Sequence, residues 1–303
     1  MKKSFLHIIF TLILSCTWKN GLAQLVPVYS QYLVNQTIIN PAYAGANNCL
    51  NINALYRQQW AGYEGAPSTR TLSAHSPLKN RAIALGLNVV NDVIAVTSNT
   101  LIEGQFAYRL KLGENQKIAF GIGSGIFINK NNLSAINVND AGDEVFVGNK
   151  NTATPTFSFG IFYERKKFFA GLSSLNLTRN ITPIKTYNYQ QPYYLFSGYN
   201  YKLNDNFTLI PSFLLKKITG NPFQLDLNLF LDFREKIKFG VSYRTAESLY
   251  GILQVKLNHQ FQIGYSYDYS LNAFRQYHNG SHEVSVRYVF EYKSTTVDIK
   301  SFE

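Results

Sequence analysis

A two-residue alternation of apolar and polar side chains most limits what this chain can fold into. In the segment 222–233 the apolar residues occupy alternate positions, namely Phe223, Leu225, Leu227, Leu229, Leu231 and Phe233. Gln224, Asp226, Asn228 and Asp232 lie between them. Side chains alternate across a β-strand, whereas the 3.6-residue period of a helix cannot separate residues in this way. Because 236–244, 261–269 and 281–291 repeat the pattern, we predict an all-β chain.

The alternation predicts fourteen strands of roughly ten residues, an even number that is typical of outer-membrane barrels. They are 50–60, 69–76, 81–90, 99–110, 117–129, 154–165, 167–175, 192–202, 206–218, 222–233, 236–244, 248–257, 261–269 and 281–291. Glycines alternate with apolar residues inside 117–129. A phosphate-binding loop would need its glycines between a strand and a helix, so these glycines instead leave space on one side of the wall.

The lengths of the connections indicate how such a barrel would be oriented. Connections after even-numbered strands are short: 77–80, 112–116, 166, 203–205, 234–235 and 258–260. Those after odd-numbered strands include five longer ones, 62–68, 92–98, 130–153, 176–191 and 270–280, and two short ones, 219–221 and 245–247. Outer-membrane barrels have short periplasmic turns and longer external loops. We therefore predict an antiparallel transmembrane β-barrel of about 14 strands with both ends of the barrel sheet on the periplasmic side.

The charges of the strands fit a barrel with a polar lumen. Only 16% of the residues are charged and 15% are aromatic, against about 25% charged in average globular proteins. The charged strand residues alternate with apolar ones and include Glu103, Arg109, Asp226, Asp232, Lys238, Arg244, Asp268 and Arg287. Because both signs are present, we expect salt bridges inside the lumen. A charge-selective channel would instead carry a wall of one sign.

The ends of the chain suggest four regions. Residues 1–23 have a basic start, an apolar stretch and small residues before the predicted cleavage near Ala23, as a signal peptide does. Residues 24–49 carry turn residues at Asn40-Pro41 and Gly45, and we expect either a plug in the lumen, which we favour, or a periplasmic arm. The barrel spans 50–292, and 293–303 form a tail.

Several classes of function are disfavoured. The net charge is +11, but Lys and Arg are scattered and not gathered in runs, so we expect outer-membrane lipid or an acidic partner and no nucleic acid. His282-Glu283 lacks the second His of a zinc site, since Val286 stands there, and a turn or capping role at the strand start is favoured. His75 falls at a strand end, where we expect a solvated side chain. We predict no catalytic, cofactor-binding or metal-binding residues. An outer-membrane hydrolase stays open as an alternative.

Two groups of motifs carry a family resemblance. Near the amino terminus they are the segments 30–32 (SQY), 39–45 (INPAYAG), 56–60 (YRQQW), 65–67 (GAP) and 72–78 (LSAHSPL). Towards the carboxyl terminus they are 211–216 (PSFLLK), 264–268 (GYSYD) and 280–283 (GSHE). The chain resembles the PorP/SprF family of type IX secretion system outer-membrane proteins over essentially its whole mature length. The long segments 130–153 and 178–191 match no motif of the family.

The resemblance implies a non-enzymatic barrel in the cell outer membrane. It implies a role in secretion or surface attachment of gliding-associated adhesins with a carboxyl-terminal sorting domain, and contact with periplasmic secretion components. An outer-membrane channel or porin for small solutes is the alternative. The candidate partner contacts are Tyr32, Asn40, Pro41, Tyr43, Gly45, Arg57, Trp60, His282 and Glu283. For Tyr43, Trp60 and Tyr63 we favour a second interpretation, as aromatic residues at the membrane interface.

Overall fold

A computed structural model describes residues 27–79, 81–135, 149–177 and 191–290 of the chain. The predicted signal peptide 1–23 and the predicted tail 293–303 lie outside the described residues. Within them, no helix has both the length and the apolar character needed to cross a membrane. The helices described are short 3₁₀ turns at Gln36–Ile38, Pro41–Tyr43, Leu133–Ala135 and Ala273–Tyr277.

Fourteen antiparallel strands form one closed barrel, as predicted. They are β1 (Leu50–Gln58), β2 (Ser68–Pro77), β3 (Ile83–Ile94), β4 (Thr97–Gly113), β5 (Gln116–Asn131), β6 (Lys150–Arg165), β7 (Phe168–Ser174), β8 (Pro192–Tyr199, continued by Tyr201–Lys202), β9 (Phe207–Ile218), β10 (Phe223–Phe233), β11 (Ile237–Arg244), β12 (Ser248–Lys256), β13 (Phe261–Ser270) and β14 (Ser281–Phe290). Each strand pairs with its neighbour in sequence. The seam between β14 and β1 runs from Leu50 opposite Phe290 to Gln58 opposite His282.

The two faces of the wall follow the predicted alternation. In β13, Tyr265 and Tyr267 are exposed on the outside, while Ser266 and Asp268 are buried on the inside. In β11, Val241 is 61% exposed and Arg244 only 1%. The apolar face therefore lies where lipid would cover it, and the polar face lines the lumen. Closure of the sheet also removes the unpaired edges that an open sheet would leave.

The two ends of the barrel differ in their connections. At one end, here called the short-turn end, the connections are 78–82, 114–115, 166–167, 203–206, 234–236 and 257–260. The opposite end, here called the long-loop end, has the connections 59–67, 132–149, 175–191 and 271–280, besides three short ones. One predicted loop is wrong, because 92–98 is mostly strand and only Ala95 and Val96 connect β3 to β4. Asp92 is a lumenal residue that accepts a hydrogen bond from Thr69 Oγ1 at 2.6 Å.

The chain ahead of β1 lies inside this wall. Residues 27–49, here called the lumenal segment, are largely buried. Ser30 lies near the long-loop end, beside the first residues of β14, and the segment reaches the short-turn end where β1 begins. Tyr32, Ile39 and Ala42 form an apolar cluster with Phe162 and Phe196 of the wall. The centre of the barrel is thus packed with protein.

Candidate functional site

A buried charged cluster joins the lumenal segment to three strands near the long-loop end. Arg57 of β1 lies 2.7 Å from Asp268 of β13 and 3.1 Å from Glu283 of β14. Its guanidinium also donates to Ser30 Oγ at 2.8 Å. The Ser30 hydroxyl donates in turn to Asp268 at 2.7 and 2.8 Å. One serine of the segment thereby bridges a cation and an anion of the wall.

The backbone of the lumenal segment completes the coordination of Glu283. The amide nitrogens of Ser30 and Gln31 donate to its two carboxylate oxygens at 2.9 and 2.8 Å. The Gln31 side chain also donates to the Glu283 carbonyl at 3.0 Å and accepts from Ser285 Oγ at 2.7 Å. Glu283 is fully buried. A buried carboxylate is tolerated when it is paired and fully hydrogen-bonded, as here.

A second ion pair extends the cluster across the lumen. Arg244 of β11 binds Asp226 of β10 through Nε at 3.0 Å and Nη2 at 2.8 Å. The same Nη2 donates to the carbonyl of Tyr29 at 2.9 Å. Arg244 also lies 4.0 Å from Asp268, which links the two ion pairs. The charged cluster, meaning Arg57, Asp226, Arg244, Asp268 and Glu283, therefore holds the segment from two sides.

Two tyrosines of the lumenal segment are held by hydrogen bonds to the wall. The Tyr29 hydroxyl lies 3.1 Å from Thr71 Oγ1, within hydrogen-bonding distance. Tyr32 is 1% exposed, and its hydroxyl accepts a hydrogen bond from Asn228 Nδ2 at 2.7 Å. These hydroxyls therefore help to fix the segment against the wall.

Further along, the segment is held by amide side chains. Asn35 Nδ2 donates to Ser73 Oγ at 2.8 Å, and the Thr37 carbonyl accepts from both Asn88 and Gln105 at 2.9 Å. The Asn40 Oδ1 atom accepts a hydrogen bond from the Ala42 nitrogen at 2.9 Å and thereby caps the short helix Pro41–Tyr43. The bonds to the Thr37 carbonyl and from the Ala42 nitrogen satisfy backbone groups that would otherwise be buried without partners.

Glycines of the wall provide the space that the segment occupies. A Cβ at Gly121 would overlap the backbone at Pro41 and Ala42, and one at Gly160 would overlap Asn40 Oδ1. The expectation that alternate glycines leave room on one side of the wall is confirmed at Gly121. Gly45 of the segment has φ +73° and approaches Ala84 so closely that any side chain would collide.

The structure places seven of the nine candidate partner contacts in the interior. Tyr43 is half-buried there, and the other six are buried: Tyr32, Asn40, Pro41, Gly45, Arg57 and Glu283. Arg57 and Glu283 meet in the charged cluster, whereas Asn40, Pro41 and Gly45 lie nearer the short-turn end. Trp60 packs edge-to-face on Phe274 in the last long loop, with ring centroids 4.9 Å apart. His282 faces outward, 2.8 Å from the hydroxyl of Tyr265. Contact of these nine residues with a partner stays a prediction.

Three residue-level expectations are wrong. Tyr43 is not a membrane-interface residue, because it packs against Phe162 at 5.2 Å inside the barrel. His75 is not solvated, because it is 3% exposed and its Nδ1 accepts from the Gly45 nitrogen at 3.0 Å. Glu283 does not cap a turn, because its carboxylate binds the lumenal segment.

Ser30, Gln31 and Tyr29 were not predicted as candidate site residues. Ser30 and Gln31 belong to the motif 30–32, but nothing in the local sequence indicates that they bind Asp268 and Glu283. Asp226, Arg244 and Asp268 were expected to face the lumen, and their alternation was the available signal. Their salt bridging is confirmed for Arg244 with Asp226.

The geometry of the site favours holding a segment over performing chemistry. Among the described residues, no group of three or more His, Cys, Asp and Glu could hold a metal ion. Each charged side chain of the cluster is bound by an opposite charge or by the lumenal segment. Such an arrangement fixes the position of the lumenal segment, since the ion pairs and the hydrogen bonds to the segment share the same carboxylates.

Comparison with solved structures agrees with the barrel. The monoaromatic hydrocarbon channel CymD matches with a TM-score of 0.50 and 10% identity, over 90% of this chain and 96% of that one. The outer membrane protein Omp33 of Acinetobacter baumannii matches with a TM-score of 0.50 and 8% identity, over 80% and 98%. At these identities the likeness concerns the fold alone. No curated protein matches the chain.

The family comparison is more specific. The model of the type IX secretion system membrane protein PorP/SprF matches residues 21–288, which includes the lumenal segment and nearly the whole barrel. The match agrees with the resemblance seen in the motifs of both ends. The chain therefore belongs to the PorP/SprF family and is an outer-membrane component of the type IX secretion system.

Proposed function

We propose that this barrel supports secretion or surface attachment of adhesins that carry a type IX carboxyl-terminal sorting domain, as gliding-associated members of the secretion system do. The observation that carries the proposal is the family match over residues 21–288. The barrel acts without enzymatic chemistry and presents surfaces to partners on both sides of the outer membrane. A signal peptide cleaved near Ala23 delivers it to the periplasm.

The filled lumen supports this role over that of a passive channel. The lumenal segment crosses the barrel from the charged cluster to the start of β1, and Tyr32, Thr37, Asn40 and Ala44 on its path are each no more than 1% exposed. We propose that it is a permanent plug. The surfaces left for partners are then the loops of the long-loop end, which faces the exterior, and the short-turn end, which faces the periplasm.

Deletion of the gene tests the secretion role. The measurement is the amount of sorting-domain adhesin on the cell surface in wild-type, deletion and complemented strains. We expect surface adhesin to fall on deletion and to return on complementation. Unchanged display in the deletion strain would refute the role for the adhesin tested.

A locked plug tests whether the segment must move. Asn35→Cys and Ser73→Cys place two thiols at facing positions of the segment and the wall, where Asn35 Nδ2 now donates to Ser73 Oγ at 2.8 Å. Cys49, which is buried and free, is changed to Ser in the same variant to prevent mispairing. We expect the oxidised variant to display adhesin like its reduced form. Display that fails on oxidation and returns with reductant would refute a permanent plug.

The two alternatives have direct assays. A small-solute channel predicts steady single-channel conductance of the purified protein in planar bilayers, and a plugged barrel predicts none. An outer-membrane hydrolase predicts phospholipid turnover by the refolded protein. Conductance or turnover equal to that of a reference porin or lipase would replace the proposed function.

A further inference from the structure

The periplasmic end of the lumen is not completely filled by the plug. A cavity of about 460 Å³ lies between the lumenal segment and the wall formed by β8 to β14. A second cavity of about 250 Å³ adjoins it, since Leu33, Ile210, Lys238 and Gln254 line both. The larger cavity, here called the vestibule, ends inward at Leu33 and Val34 of the segment.

The vestibule carries a strong excess of positive charge. Its basic residues are Lys167, Lys202, Lys236, Lys238, Lys256 and Arg287, against two acidic residues, Asp232 and Glu235. They come from the short turns or the adjoining strand ends, so the vestibule faces the periplasm. The charged cluster near the long-loop end holds two basic and three acidic residues, whereas in the vestibule the basic residues predominate.

Much of this positive charge is not paired with an acidic side chain among the described residues. Lys238 pairs with Asp232 at 3.5 Å, and Lys202 pairs with Asp205 in the turn at 2.7 Å. Lys167, Lys236 and Lys256 form no ion pair with any residue that the structure describes, and all three are exposed. Several cations around one concavity raise the local concentration of anions and speed their capture.

We infer that the vestibule is a docking site for an acidic polypeptide segment of a periplasmic partner. Lys238, Lys256 and Arg287 occupy lumen-facing positions of their strands. The other basic residues lie in or next to the short turns and line the same cavity. A lipid headgroup would therefore have to leave the bilayer to meet them, whereas a soluble segment enters from the periplasm. Leu33 and Ile210 add an apolar surface for side chains that flank the acidic ones. The inference rests on the proposed function only in that a secretion component is the expected partner.

Peptide binding to the purified full-length protein in uncharged detergent tests the inference. The probe is fluorescein-labelled hexaglutamate, measured by fluorescence anisotropy, with hexaglutamine and hexalysine as comparison peptides. The test variant is Lys236→Glu with Lys256→Glu. The matched control is Lys79→Glu with Lys111→Glu, which changes the net charge equally near the short-turn end without touching either cavity. Heat-dependent gel migration shows whether each variant has folded.

We expect hexaglutamate to bind and the two comparison peptides not to bind. The Lys236/Lys256 variant should lose at least about tenfold in affinity, the control should stay within about twofold, and 0.5 M salt should abolish binding, because exposed charges are screened at that ionic strength. An equal loss of hexaglutamate affinity in the test and control variants would overturn the inference. Displacement of the peptide by equimolar inorganic phosphate would also overturn it, since the vestibule would then be a small-anion site. The binding assay does not measure adhesin display, so a failure of this inference is distinguishable from a failure of the proposed function.

Discussion

Removing the charge of Arg57 should free the lumenal segment. Arg57→Met keeps most of the length of the side chain but leaves Glu283 as a buried carboxylate without a cation and Asp268 with only Arg244, 4.0 Å away. It also removes the donor to Ser30 Oγ. Breaking a buried ion pair from one side typically costs about 3–5 kcal/mol. If that cost falls on the docked state, the equilibrium constant for undocking the segment rises by about 10²- to 10⁴-fold.

Labelling of a buried thiol measures this opening. Thr37 is 1% exposed in the lumenal segment, and Thr37→Cys in a Cys49→Ser chain should react with a bulky maleimide only when the segment opens. Where opening is fast relative to labelling, the rate follows the equilibrium. We expect Arg57→Met to raise the rate by about 10²-fold or more. Arg70→Met on neighbouring β2, whose side chain is exposed, is the control. Equal rates in the two variants would refute the anchoring role of the cluster.

Three further predictions concern the packing of the segment. Gly121→Val should raise the rate of thiol labelling at least about tenfold, because the valine side chain would overlap the lumenal segment. Gly251, which has open space around its Cβ position, provides the control, and Gly251→Val should leave the rate unchanged. Equal labelling of the two variants would contradict the role of the wall glycines. Asn40→Ala removes a helix cap and a hydrogen bond to the wall. It should destabilise docking of the segment by about 1 kcal/mol and so raise the labelling rate roughly fivefold. An unchanged rate would argue against the cap. Phe196→Ala should lower the free energy of unfolding in urea by about 3–5 kcal/mol, and a loss below 1 kcal/mol would show that the apolar cluster contributes little.

The barrel could be predicted because its signal is local. Each strand contains its own alternation, so β13 is recognisable from ten residues alone. The wrong prediction of a loop at 92–98 also arose because the signal used was local. Asp92 and the polar residues around it resemble a loop in sequence, and only the contact with Thr69 on the neighbouring strand shows why an aspartate continues the strand into the lumen.

The site could be predicted only in part, because its contacts join distant parts of the chain. Alternation identified Asp226, Arg244 and Asp268 as lumenal, but it carries no information on what they meet. The bond from the Ser30 nitrogen to Glu283 joins residues 253 positions apart. The sequence around His282-Glu283 therefore suggested a local role, and the true partner was beyond the reach of any local pattern.

The seam between β1 and β14 has a consequence for biogenesis. Two of the three charged residues that surround Ser30, Arg57 and Glu283, lie on these two strands. Synthesis produces the lumenal segment before Glu283, so the hydrogen bonds from the Ser30 and Gln31 nitrogens to its carboxylate cannot form until β14 arrives. Closing the barrel and completing the charged cluster are then a single event. A truncated chain exposes both an open strand edge and an untethered amino terminus, two marks by which proteases can recognise an unfinished molecule.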